Sequence, residues 1–271
     1  MLDTYSGATR VLFIVGDPIA QVKAPAGLTR ALRERGYDAI VVPIHVKPAD
    51  LRDFLAVAAR LPNVDGVIAT VPHKFAAAEL ADELTPRARS IGAANVLRRQ
   101  ASGGWLGDMC DGEGYVAGLR AQGFDAGGKR ALLVGAGGAG SAIAHALVDA
   151  GVAALALHEA DVARREALAA KLRAYGDVIP TVGSTDPRGF DLVINATPMG
   201  MRAEDPLPLD ASGLQASIFV DDVVTQPAVP PLIERARALG CRTLTGGGMF
   251  AAVCERMAAF YLAPQAQAVA A

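Results

Sequence analysis

The sequence predicts an α/β protein of two domains, with a C-terminal helix that returns to the first. Three observations carry that expectation. Short β-branched runs alternate with Ala-, Leu- and Arg-rich helical stretches over most of the 271 residues, the rhythm of βαβ units. A polar, glycine-rich junction at residues 123–129 separates one such series from a second. The second series opens with three glycines at fixed intervals between a strand and a helix.

Taken in order, residues 11–15 read as a buried strand that ends in the turn Gly16-Asp17-Pro18. A helix is expected over residues 25–36, stopped by Gly36. Residues 39–44 form a second strand, 48–60 a helix, 66–71 a third strand and 75–84 a helix. The series reads as an open parallel sheet. A turn-rich crossing follows, Ser102-Gly103-Gly104-Trp105 and then Gly107, before a helix at about residues 112–122. The second series has strands at 131–134 and 153–157, and the last helix spans about 250–262.

Composition narrows the function. With 52% hydrophobic and 20% charged residues, the chain is globular. A formal net charge of −2 argues against a nucleic-acid surface, which needs a concentrated basic excess. The doublets Arg98-Arg99 and Arg164-Arg165 read as solvated faces. Cys110, Cys241 and Cys254 show neither CxxC nor Cys/His ligand spacing, so no disulfide framework and no metal site are expected. The N-terminus lacks an apolar signal core, and no run approaches the roughly 18 apolar residues of a membrane span. A cytoplasmic protein acting on a small molecule, with no membrane or nucleic-acid partner, is the expectation. Oligomeric state is not readable. The Ala/Gln tail after Pro264 is expected to fray.

The nucleotide signal is the most local one. After the strand at 131–134 come Gly135-Ala136-Gly137-Gly138-Ala139-Gly140-Ser141 and a helix. Gly135, Gly137 and Gly140 occupy the positions of GxGxxG, which permit a tight turn and close backbone approach to a pyrophosphate. Gly138 and Ala139 supply N–H groups at the helix N-terminus, where negative charge is favoured. About 20 residues beyond the glycines, Glu159 offers a carboxylate that can accept both ribose hydroxyls of NAD and would repel the 2′-phosphate of NADP. Arg164 and Arg165 lie one helical turn further, within reach of a 2′-phosphate or simply solvated. NAD is the expected cofactor, ahead of NADP.

Ordered motifs then point to a family. Gly16-Asp17-Pro18-Ile19-Ala20-Gln21-Val22-Lys23-Ala24-Pro25 stands in the place of a GxPxxHSxSP loop, and Thr70-Val71-Pro72-His73-Lys74 is similar to NVTxPxK. Gly92-Ala93-Ala94-Asn95 matches GAxN. Gly107-Asp108-Met109-Cys110-Asp111-Gly112 corresponds to GxNTDG, Asn195-Ala196-Thr197 to an NAT segment, and Gly246-Gly247-Gly248-Met249 to GxxM. Over nearly its whole length the chain resembles the shikimate dehydrogenases. The resemblance implies an N-terminal substrate-binding domain (1–110, with 246–271 returning to it) and a Rossmann-like NAD-binding domain (111–245).

The resemblance implies that Lys74 and Asp111 are the catalytic pair. The chemistry is reasonable on its own terms, because oxidising a secondary alcohol requires a group to take the hydroxyl proton. A lysine beside a carboxylate can be tuned to that task; taken singly, Lys74 reads as a surface lysine and Asp111 as a helix N-cap. By the same resemblance Thr70 and Asn95 contact substrate hydroxyls, with turn and strand-end hydrogen bonding as their plainer roles. Thr197, Val223 and Gly246 join the cofactor set. His73 reads as a neighbour of the site, and His45, His145 and His158 have no constellation around them.

The substrate-binding positions also depart from the family pattern. Val22 and Ala24 replace two serines that hold a substrate carboxylate, and Val253 replaces a substrate glutamine. Ile68, Met109, Cys110 and Thr225 stand where the family has Asn, Asn, Thr and Tyr. Each lost hydrogen bond to a carboxylate costs about 1.5–3 kcal/mol, so shikimate itself is expected to bind weakly. The reading is hydride transfer between NAD and a shikimate- or quinate-like cyclic hydroxy acid, or a less polar relative. Two alternatives stay open: a non-catalytic NAD-binding or sensing protein, and an NADP-linked biosynthetic shikimate dehydrogenase.

Overall fold

The computed structural model describes residues 5–20 and 22–264. The expected fraying beyond Pro264 lies outside the described residues. The chain forms two compact units, Met1–Cys110 with Cys254–Ala271, and Asp111–Val253.

The first unit holds strands β1 (Arg10–Gly16), β2 (Ala39–His45), β3 (Val64–Ala69), β4 (Glu83–Leu84), β5 (Val96–Arg99) and β6 (Trp105–Asp108), with helices α1 (Ala24–Arg33), α2 (Leu51–Ala58), α3 (Lys74–Leu80) and α4 (Pro86–Ile91). The sheet order is β2-β1-β3-β5-β6-β4. β1 runs parallel to β2 and β3, as the βαβ rhythm requires. The expectation of a wholly parallel sheet needs correction, because β5 is antiparallel to both β3 and β6. The cause is local. Gln100 accepts and donates across a short turn to Gly103 and Gly104, so the stretch read as a loose crossing is a hairpin. The predicted helix at 75–84 also stops early, at Leu80, and residues 83–84 pair with β6.

Apolar spacing places the helices. In α2, Leu51, Leu55 and Ala58 form one buried stripe, and they join Val15, Val64, Val67, Ala69, Leu97 and Trp105 in one core cluster. Burying a leucine of this kind contributes about 1.5–3 kcal/mol. Thr85 caps α4 by accepting from the Ala88 N–H at 3.2 Å, and in the second unit Asp161 caps the helix Val162–Tyr175 by accepting from Arg164 N–H at 3.1 Å.

The second unit contains α5 (Asp111–Ala121), β7 (Arg130–Val134), α6 (Gly138–Asp149), β8 (Ala154–His158), α7 (Val162–Tyr175), β9 (Thr181–Val182), β10 (Leu192–Asn195), β11 (Phe219–Asp222), α8 (Pro231–Ala238), β12 (Arg242–Thr245) and the start of α9 (Gly246–Leu262). Its sheet order is β12-β11-β10-β7-β8-β9, parallel throughout. Counted within the unit, this is the 3-2-1-4-5-6 order of the doubly wound dinucleotide fold. All four residues of β10 are buried, as a strand covered on both faces demands.

The sequence begins the returning segment at 246, whereas the structure divides the chain after Val253. The division falls inside α9, which is continuous from Gly246 to Leu262. Its last turns are anchored in the first unit. The Tyr261 hydroxyl donates to Val67 O at 3.1 Å, and Arg98 Nη1 donates to Phe260 O and Ala263 O at 2.8 and 2.7 Å. A guanidinium on the orphan carbonyls of a helix C-terminus is favoured by hydrogen bonding and by the helix dipole.

At the end of β11 the second unit buries two consecutive carboxyls, Asp221 and Asp222, both fully inaccessible. Neither has a cationic partner among the described residues. The Tyr115 hydroxyl of α5 faces Asp221 without completing a well-formed hydrogen bond. Burial, and then the neighbouring Asp222 charge, push the Asp221 carboxyl well above its ordinary 3.8. The folded state thus keeps a proton that the unfolded chain releases above about pH 4. Stability is therefore fully present below that pH and declines as pH rises above it. Asp221→Asn preserves shape and cannot ionise. Melting temperatures of parent and variant should be close at pH 4.5. At pH 8 the variant should melt higher. A variant that melts lower at pH 8 contradicts this account.

Candidate functional site

In the first unit, four segments meet at one end of the sheet through backbone hydrogen bonds. Thr70 N–H donates to Val15 O at 2.9 Å, Asp17 N–H to Val71 O at 3.0 Å, Ala69 N–H to Asn95 O at 2.9 Å and Ala94 N–H to Lys74 O at 2.9 Å. This weave brings Thr70, Lys74 and Asn95 together. Lys74 opens α3 and is half-buried. Asn95 is buried and its side-chain oxygen accepts from Cys110 N–H at 2.8 Å. Thr70 directly follows β3. Val22 is half-buried just before α1, and Ala24 opens that helix in the core.

Two features of this end were not expected from the sequence. His45, which has no apparent constellation in the sequence, lies 2.7 Å from the Asp17 carboxylate. Parallel pairing of β1 with β2 places Gly16 opposite His45, a neighbourhood that no spacing within the chain announces. Asp108 is buried and accepts from the Thr85 hydroxyl at 2.5 Å, Arg87 Nη2 at 2.5 Å, Arg87 Nε at 3.2 Å and Met109 N–H at 2.8 Å. It fixes the chain just ahead of Asp111; its only signal was its place in the Gly107–Gly112 motif. His73 is buried with Nε2 at 2.8 Å from Val46 O, an internal strut. A cavity of about 390 Å³ lined by Arg10, Tyr37, Asp65, Arg98 and Arg99 lies at the opposite end of the sheet from Thr70 and Asn95.

In the second unit, Asp111 is buried as the first residue of α5. Val253 is buried against the backbone of α5 at Gly114, where a methyl group would strike it. The residues expected from the sequence to hold the cofactor gather at the carboxyl end of the parallel sheet. Gly135 has φ +106°, a left-handed conformation that favours glycine. A methyl at Gly140 would strike the Gly135 carbonyl, while a methyl at Gly137 would meet nothing within 4 Å. The loop is therefore tightly folded at Gly140 and open at Gly137, leaving an open face at the N-terminus of α6 beside Gly138 and Ala139, the kind of place that favours negative charge. Glu159 follows β8; its carboxylate accepts from Ala136 N–H at 2.9 Å and from Asp161 N–H at 3.1 Å, and Arg164 Nη1 stands 3.9 Å away. Thr197 packs on Gly135, and its N–H and hydroxyl donate to Asn195 Oδ1 at 3.0 and 2.6 Å. Val223 N–H donates to Asn195 O at 3.0 Å. Gly246 lies so close to the Val223 and Val224 carbonyls that any side chain there would collide with them.

A protein of Rhodospirillum rubrum named shikimate dehydrogenase (NADP(+)) is 41% identical to this chain over 251 residues, covering 90% of this chain and 88% of its own. The chain belongs to the shikimate dehydrogenase family. Residues 14–97 match the family model of the shikimate dehydrogenase substrate binding domain. Two solved structures are similar throughout. The 5-ketofructose reductase of Gluconobacter sp. strain CHM43 is 28% identical with a TM-score of 0.83, covering 96% of this chain and 95% of its own. The quinate dehydrogenase of Corynebacterium glutamicum in complex with NAD is 31% identical with a TM-score of 0.83, covering 95% of each chain. As a shikimate dehydrogenase family member, the protein is an oxidoreductase that works with a nicotinamide dinucleotide. Among the described residues no His, Cys, Asp and Glu group is placed to hold a metal, and no helix is long and apolar enough to cross a membrane.

The two glycines are expected to separate folding from binding, because their surroundings differ. Gly137→Ala should leave the melting temperature unchanged, because its methyl enters open space, yet weaken dinucleotide binding by at least about tenfold by filling that open face. Gly140→Ala should instead lower the melting temperature. Calorimetric titration and thermal melts of both variants check this. Unimpaired binding by Gly137→Ala would place the diphosphate elsewhere.

Proposed function

We propose that the protein interconverts a secondary alcohol and its ketone on a shikimate- or quinate-like cyclic hydroxy acid, with NAD preferred to NADP and with Lys74 and Asp111 handling the proton. The observation that carries this reading is the combination of an intact Thr70, Lys74 and Asn95 cluster with Val22 and Ala24 where the family has carboxylate-holding serines. When bound, the dinucleotide supplies or accepts the hydride. The chain has to position the substrate and move one proton at the reacting oxygen. Lys74 is the group proposed to donate to and accept from that oxygen, with Asp111 as the second residue of the proposed pair. Thr70 and Asn95 are proposed to hold neighbouring hydroxyls. Val22 offers no donor to a carboxylate, and unpaired buried polar groups are what sites reject most strongly; shikimate is therefore proposed as a weak substrate. A second substrate reading, an uncharged polyhydroxy ketone, is favoured by the same missing serines together with the similarity to a 5-ketofructose reductase.

The NAD preference rests on Glu159, held against the glycine loop by the Ala136 N–H. A carboxylate there accepts ribose hydroxyls and repels a 2′-phosphate. The similarity to a quinate dehydrogenase in complex with NAD agrees. The NADP(+) in the name of the Rhodospirillum rubrum relative favours the opposite choice, and Arg164 is the residue that would serve it.

Calorimetry should show NAD binding at least about tenfold more tightly than NADP, a difference of about 1.4 kcal/mol. Glu159→Ala should narrow that ratio. NADP binding as well as NAD would remove the role given to Glu159. For the chemistry, a panel of cyclic hydroxy acids and uncharged polyhydroxy ketones should yield a substrate with a lower KM than shikimate. On that substrate Lys74→Ala should lower kcat by about 100-fold or more while leaving dinucleotide affinity unchanged. A near-normal kcat in Lys74→Ala overturns the proton-transfer assignment, and no turnover of any compound favours a sensing role.

A further inference from the structure

The buried carboxyl at the end of β11 has no part in the chemistry described above, yet its placement gives it one. Within the second unit the glycine loop follows the first strand of the 3-2-1-4-5-6 order, and Glu159 follows the second. With the diphosphate at the first and the adenosine ribose at the second, the nicotinamide half falls over the fourth and fifth strands, β10 and β11. Asp222 is the last residue of β11.

Asp222 organises the loops on that side. One carboxylate oxygen accepts from Val224 N–H at 2.9 Å and folds the chain back over residues 222–224. The carbonyls of Val223 and Val224 then lie against Gly246. Its other oxygen, Oδ2, is buried without a well-formed hydrogen bond. Asn195 faces it from the register position on β10 and commits one of its two amide N–H groups to Met199 O at 3.0 Å. On the other side, β12 offers Thr245 in register. Asp221, on the same strand, turns toward Tyr115 of α5, while Glu234, Arg235 and Arg237 of α8 are exposed to solvent. No cation among the described residues therefore balances this carboxyl.

We propose that Asp222 is a positioning residue that sets the preference between the two oxidation states of the bound nicotinamide, its ionised carboxylate favouring the cationic, oxidised ring over the neutral, reduced one. This rests on the cofactor placement proposed above. A buried, unpaired carboxylate acts through a low-dielectric medium, where a unit charge is felt far more strongly than in water. The oxidised ring carries a positive charge that hydride transfer to the ring removes. Burial pushes the Asp222 carboxyl up to about 7, against the pull of the Val224 N–H and the Asn195 amide. The preference is thus expected to be present above pH 7 and to fade as pH falls through it, since the protonated acid carries no charge.

The test is equilibrium binding of NAD+, NADH and ADP-ribose from pH 5.5 to pH 8.5, by calorimetry and by NADH fluorescence, on the parent and on Asp222→Asn. NAD+ affinity should rise about tenfold across that range, with proton release near pH 6.5, while NADH and ADP-ribose change less than about twofold. Asp222→Asn, which keeps an acceptor for Val224 but cannot ionise, should flatten the NAD+ profile with little change for ADP-ribose. Should that variant not fold, the difference between the NAD+ and NADH profiles of the parent decides alone. Equal pH profiles for NAD+ and NADH overturn the proposal, as does an unchanged NAD+ profile in Asp222→Asn. An equal profile for ADP-ribose overturns it too, because the titrating group would then be in the adenosine half, where His158 precedes Glu159. If none of the three ligands binds at any pH, the cofactor placement itself falls and the proposal with it.

Discussion

Asn95 shows what holds the substrate end of the first unit together. Its carbonyl receives the end of β3, its N–H donates to Asp108 O at 3.0 Å, and its side-chain oxygen receives Cys110 N–H. One buried amide thus joins the strand that leads to Thr70 and Lys74 to the strand that leads to Asp111. A loop that carries function has to be tied down by the scaffold beneath it. Here the ties are mostly backbone hydrogen bonds, which tolerate change in the side chains around them. That tolerance lets Ile68, Met109 and Cys110 occupy positions where the family has polar residues, since all three are buried and contribute bulk.

The second unit depends on a different constraint, close approach of backbone to backbone. Gly135, Gly140 and Gly246 each lie where a side chain would collide with a carbonyl or with Thr197. These contacts pull the loops after β7, β10 and β11 into one crevice at the carboxyl end of the sheet, the place where open parallel sheets bind ligands. The arrangement buries strand-end carboxyls as a by-product. Asp221 and Asp222 lose hydration without gaining a cation, so both are held above the ordinary carboxylate range. A strained electrostatic feature of this kind lowers stability, and its persistence next to a proposed cofactor site is what gives it functional interest.

Local pattern made much of this legible in the sequence. The glycine loop, the strand at 131–134 and the helix at the end of the chain each announce themselves in local pattern, and the carboxylate at 159 stands out by its spacing of about 20 residues from the glycines. What depends on pairing across long separations did not. The hairpin of β5 and β6 reads as a loose crossing because its strands are only four residues each and carry arginines at Arg98 and Arg99. Those arginines looked solvated, yet Arg98 caps α9 and Arg99 Nη1 donates to Leu61 O at 2.8 Å. The His45 and Asp17 contact depends on the register of β1 against β2, and register is a property of the sheet that neither strand reveals alone. The burial of the Asp221-Asp222 doublet likewise depends on the parallel pairing of β11 on both sides.

Presence of the proposed proton-handling residues and replacement of the carboxylate-holding ones that the resemblance implies are independent in physical terms. The demand on Lys74 comes from the reaction, because any alcohol oxidised by hydride loss must release its hydroxyl proton. The demand on the positions of Val22 and Ala24 comes only from the part of the substrate that does not react. Interactions with that part bind ground state and transition state alike, so they set KM and leave the chemical step untouched. A chain can therefore exchange serines for Val22 and Ala24, and a glutamine for Val253, and still move a hydride and a proton at full rate on a different ring or chain. Because Ala24 is buried in the start of α1 and Val253 is packed against Gly114, both substitutions also remove polar groups that would need partners in the interior. The apolar choice is thus self-consistent as packing, and it is the physical basis of the proposal that shikimate is a weak substrate.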